Sequence, residues 1–184
     1  MNQTTLLQLT HGLALALACT SGTALAAGKA HEHGAMKLDV AIEGNKLTIV
    51  MEAPLDNLLG FERAPRTDAE RKAAADVLAR LRSPDKGTPL FVMAAAAQCT
   101  LSKAEVTAAI IEPGAKAVPK KDEHADLDAV YEFNCTQPGE LRNVDVGLFD
   151  AYKRIQRIDV QVAGPKSQSK VTLKRPARSI KIAL

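Results

Sequence analysis

Hydrophobic and polar residues alternate from Met36 to Glu43, so that Met36, Leu38, Val40 and Ile42 share one face. A strand with one buried face reads this way. Gly44 and Asn45 follow as a two-residue turn, both residues tolerating positive φ. The chain then returns over 46–53 with Leu47, Ile49 and Met51 on the matching face. This register sets Ile42 opposite Leu47 on the buried side and Glu43 opposite Lys46 on the wet side.

After a connection over 54–65, Thr67-Asp68-Ala69-Glu70 forms a capping box, in which Thr67 caps the helix and Glu70 reaches back. The helix it opens runs over about 67–82 and buries Ala74, Val77, Leu78 and Leu81. Ser83-Pro84 ends it. Beyond it, strand-like stretches fall at 90–93, 98–101, 104–111, 127–135, 141–146, 155–162, 170–173 and 179–183. The polar loop over 112–126 lacks apolar periodicity. Many short strands with one helix predict a mainly β fold, an antiparallel β-sandwich-like single domain.

The first 26 residues contain no Lys, Arg, Asp or Glu. Their short apolar run and Ala24-Leu25-Ala26 ending read as a secretory signal peptide over 1–26, leaving 27–184 as the mature domain. Cys19 fits a lipoprotein signal poorly, because Ala16 and Leu17 precede it. No later segment is long and apolar enough to span a bilayer. Export points to the periplasm, and an even pair of mature cysteines, Cys99 and Cys135, reads there as a disulfide. Its 36-residue separation is worth about 3–4 kcal/mol in the chain-entropy account. The net charge of +3 is mild and reads as mixed, and aromatics make up 3% with no Trp. No stacking platform for nucleic acid is present.

Every mature histidine lies in an acidic setting, as His31-Glu32-His33 or as His124 within Asp122-Glu123-His124-Ala125-Asp126. Imidazoles grouped with carboxylates suit zinc. In an extended chain His31 and His33 project to the same side, and His124 could supply a third imidazole. Glu32, Glu62, Glu123 or Asp126 could add a carboxylate. Against this, a terminal His-x-His segment frays unless something ties it down. Cleavage after Gly28 would instead expose Lys29-Ala30-His31, a square-planar nitrogen set that suits copper or nickel. Serine-elbow, CxxC, HExxH, P-loop and GxGxxG motifs are all missing, so binding is expected rather than catalysis.

Several of these stretches together resemble the ZrgA-like periplasmic proteins of Gram-negative bacteria, linked to zinc uptake. They are His31-Glu32-His33-Gly34-Ala35, the strand and turn over 38–44, Glu52-Ala53-Pro54, Asn57-Leu58-Leu59-Gly60-Phe61-Glu62, His124 ahead of the strand ending at Cys135, and Leu148-Phe149. The resemblance implies a zinc-binding accessory protein acting with a zinc ABC importer, with His31, His33 and His124 as leading ligands; the alternative is a non-metal structural or interaction module of the periplasm, its histidines incidental and its edge strands the docking surface. Two departures weaken the implied site. The family pattern places His after Gly-Phe-Glu, where this chain has Arg63, which cannot ligate and repels a nearby cation. The mid-chain loop carries Lys116, Lys120 and Lys121 with a single His.

Overall fold

The alternation at the start of the chain builds a hairpin of β1 (Ala35–Glu43) and β2 (Lys46–Pro54). Ile42 faces Leu47 and Glu43 faces Lys46, in the register the sequence predicts. The computed structural model describes residues 32–114 and 125–183. The hairpin lies inside a six-stranded sheet of order β4-β5-β2-β1-β7-β8. The other members are β4 (Cys99–Thr107), β5 (Asp126–Cys135), β7 (Arg157–Ala163) and β8 (Gln168–Lys174). A second sheet joins β3 (Phe91–Met93), β6 (Asn143–Val146) and β9 (Ser179–Lys181) in the order β3-β6-β9.

One face of the large sheet carries Leu38, Val40, Leu47, Ile49, Met51, Tyr131 and Val160, all buried. The small sheet and helix α2 (Asp68–Arg82) supply the other side of the same core through Phe91, Val144, Ala74, Leu78 and Leu81. Phe91 and Tyr131 meet across the layers with ring centroids 5.1 Å apart. The opposite face of the large sheet is polar. Lys37 and Glu52 face each other there, as do Asp159 and Thr172. The fold is thus mainly β, with two sheets packed over one core.

Four details differ from the pattern expected of the sequence. The pair β1–β7 is parallel, Leu38 facing Val160, within an otherwise antiparallel sheet. The stretches at 98–101 and 104–111 are one strand, β4, broken by a bulge between Leu101 and Lys103. The extra residue shifts the alternation, so Leu101 packs on the core before the bulge and Ala104 and Val106 after it. The chain turns out of the sheet beyond Thr107, with Ile111 N–H donating to the Ala108 carbonyl at 3.0 Å. Two short helices join the expected one, α1 (Leu55–Leu59) and α3 (Leu148–Ala151). Neither is long enough to show a helical period.

The capping box forms as read, with Glu70 N–H donating to Thr67 Oγ1 at 3.1 Å. Cys99 and Cys135 face each other across β4 and β5 and form a disulfide. The signal segment at 1–26 lies outside the described residues.

Candidate functional site

A tight turn feeds β1. Ala35 N–H donates to the Glu32 carbonyl at 3.0 Å, and Gly34 sits at φ 83°, where a side chain would be strained. Asn57, on α1, clamps this turn. Its Oδ1 accepts Gly34 N–H at 2.6 Å and its Nδ2 donates to the Ala35 carbonyl at 2.6 Å. Asn57 is 1% exposed, the one buried polar side chain among the described residues. From the other side, the Gly34 carbonyl accepts from Gln156 and Arg157 at 2.8 and 2.9 Å. The His33 turn is therefore tied to both α1 and β7 rather than frayed.

The exposed His33 ring lies between two carboxylates. Its Nε2 stands 3.3 Å from Glu62 Oε1, and its Nδ1 stands 3.9 Å from Asp56 Oδ2. Glu62 Oε1 is buried and no hydrogen-bond donor reaches it among the described residues. Ligand atoms about 2.0–2.1 Å from a tetrahedral zinc lie about 3.3 Å apart, so the His33–Glu62 separation equals one edge of such a site. Asp56 is held by Arg154, whose Nη2 reaches both carboxylate oxygens at 2.9 and 3.0 Å and whose Nε donates to the Asp56 carbonyl. That fixes Asp56 on the Nδ1 side of the ring, beyond hydrogen-bond distance.

The other sequence candidates separate. Glu32 is turned away into a bidentate pair with Arg157, at 3.0 and 2.9 Å. Asp126 opens β5 opposite Pro54. His31, Glu123 and His124 lie outside the described residues, as does Lys29-Ala30-His31. Ala125, however, is anchored beside the site, its carbonyl accepting Leu55 N–H at 2.9 Å. The described chain thus resumes at Ala125 beside the first residue of α1. Among the described residues, no group of three or more His, Cys, Asp or Glu side chains is gathered to hold a metal ion.

Arg63 does not leave its charge unmatched beside the turn. It makes a bidentate pair with Glu70 at 2.9 and 2.8 Å and lies 5.0 Å over the Phe61 ring. The Arg63 hydrogen bonds, then the Arg66 N–H, draw the Glu70 carboxyl down to about 2. A residue expected to repel the ion is thus neutralised by the helix cap. Sequence reasoning missed Asn57, Asp56 and Arg154 as supports of the turn. A polar Asn just after Pro54-Leu55, within an apolar stretch, was the available signal.

A family model described as ZrgA family zinc uptake protein matches residues 30–182. No curated protein matches the chain. Among the described residues, no helix is long and apolar enough to cross a membrane.

Proposed function

The chain belongs to the ZrgA family of zinc uptake proteins, and on that premise we propose that it is a periplasmic zinc-binding accessory protein that passes zinc to a high-affinity importer. The family and the disulfide are compatible with an extracytoplasmic site of action. Zinc here is cargo. One observation carries the reading: His33 Nε2, on a clamped turn, and the buried Glu62 Oε1 sit 3.3 Å apart, the spacing of two zinc ligands.

His31 and His124 are the proposed remaining ligands. His31 lies two residues before His33, and His124 precedes the anchored Ala125. His33 on its clamped turn and Glu62 beside it, completed by His31 and His124, would hold the ion in a site from which it can be passed on. Release suits a carrier better than a closed structural cage would. The same donor set, with water in place of one ligand, offers the metal no selected general base. The role is therefore transfer rather than hydrolysis.

Growth under zinc chelation tests the role. A strain whose only copy carries His31→Ala, His33→Ala and His124→Ala should grow as poorly as the deletion strain, while added zinc restores both. Normal growth of the triple variant, with normal protein levels, would refute the proposal.

A further inference from the structure

The mild net charge conceals a division along the chain. Residues 151–184 contain nine Lys or Arg and one acidic residue, whereas the preceding 150 hold fifteen basic and twenty acidic. The charges are not evenly mixed, as the sequence reading had them. This basic stretch builds β7, β8 and β9, and among the described residues β8 is an edge of the large sheet.

The two edges of that sheet differ. At β4 the bulge interrupts the register, the disulfide tethers one end, and Lys103 is paired with Glu105 at 2.7 Å. The bulge twists that edge away from a further strand. At β8 all seven residues pair with β7 without a break. Its outer-face positions carry Lys170, Thr172 and Lys174, and Val171 on the other face is 40% exposed. Lys170 and Lys174 make no ion pair among the described residues. Lys174 also lines a cleft of about 400 Å³ shared with His33, Arg157 and Arg175.

We propose that β8 is a docking edge for an extended acidic segment of a partner protein, which adds to the sheet as a further strand. Added strands gain main-chain hydrogen bonds and read side chains in alternation. Lys170 and Lys174 lie four residues apart on one face, about 13 Å along the strand. They call for carboxylates at alternate positions of the partner. Val171, on the opposite face, calls for an apolar residue in between. A second copy of this chain does not fit, because its own β8 carries no acidic residue to meet Lys170 and Lys174. A broad anionic membrane fits less well than a strand. Asp39, Asp159 and Glu52 share the same polar face and would oppose it, while a strand reads the edge alone.

The proposal does not rest on metal binding, so the test uses chelator throughout. A labelled heptapeptide alternating Glu and Val is titrated into the mature protein, beside a Glu/Pro peptide of equal charge and phosphatidylglycerol vesicles. The expected result is saturable binding of the Glu/Val peptide that weakens with salt, with amide shifts confined to 168–174. Lys170→Glu with Lys174→Glu should weaken it about tenfold or more, while Lys103→Glu leaves it unchanged. Both lysines are exposed, and circular dichroism checks that the variant folds. Equal binding of the Glu/Pro peptide, shifts centred on β4, an unaffected double variant, or binding to vesicles alone would each overturn the proposal.

Discussion

Replacing Asn57 with Ala removes the clamp on the His33 turn. Two hydrogen bonds of 2.6 Å are lost, one to Gly34 N–H and one to the Ala35 carbonyl. A net hydrogen bond is worth about 1 kcal/mol, and each partner left unsatisfied out of water costs about 1–3 kcal/mol. Both partners here are partly buried, which favours the lower end. The expected loss is about 2–4 kcal/mol, a large share of the roughly 5–15 kcal/mol that holds a domain folded. At about 2–4 °C per kcal/mol for a chain of this size, the midpoint falls by about 5–15 °C. Urea unfolding gives the energy, and hydrogen exchange at Gly34 reports the turn itself. Asn57→Asp keeps the acceptor but sets a carboxylate oxygen against the Ala35 carbonyl. Its penalty should ease on acidification, when a protonated carboxyl can donate. A loss below about 0.5 kcal/mol, the range of an ordinary surface change, or unchanged Gly34 exchange in Asn57→Ala, would refute the reasoning.

Three further outcomes follow from the same structure. Cys99→Ala with Cys135→Ala opens a link across 36 residues and should cost about 4 kcal/mol in the chain-entropy account, read by urea unfolding. The chain has two tyrosines and no Trp; burial raises both hydroxyls, Tyr152 to about 12 and Tyr131 further. Their raised folded values favour the neutral form, so stability is intact below the ordinary value of about 10 and falls as pH rises above it. Near-ultraviolet absorbance should show tyrosinate appearing together with unfolding, and early, unfolding-free ionisation would contradict this. Glu70 is shifted the other way, to about 2, so its contribution is present above about 4.5 and lost as pH falls toward 2. Arg63→Ala should raise the Glu70 value, seen by carboxyl NMR titration, and flatten the acid limb of the stability profile.

The hairpin, the capped helix and the disulfide were legible because each is fixed by residues near in sequence or by type. Period-two alternation with Gly44-Asn45 has one strand register, and Thr67 with Glu70 has one capping geometry. The parallel β1–β7 pair was not legible, since no local signal records which distant strand lies alongside. The β4 bulge was visible only as a break in phase, and read as two strands. Among the candidate ligands, the histidines could be picked out by chemistry, with Glu62 named as their carboxylate. What was not legible is the setting of His33, which depends on Asn57 holding Gly34 and on Arg154 holding Asp56, contacts spanning 23 and 98 positions. The pairing of Arg63 was not legible either, because its partner Glu70 belongs to the next helix.

Calorimetric titration of zinc into the mature protein, wild type against His33→Ala and Glu62→Gln, tests the central claim most directly. Near-stoichiometric binding that weakens about tenfold or more on loss of either side chain is the result the account predicts. Binding that is equal in all three proteins would contradict it, and would place the zinc site away from the His33 turn.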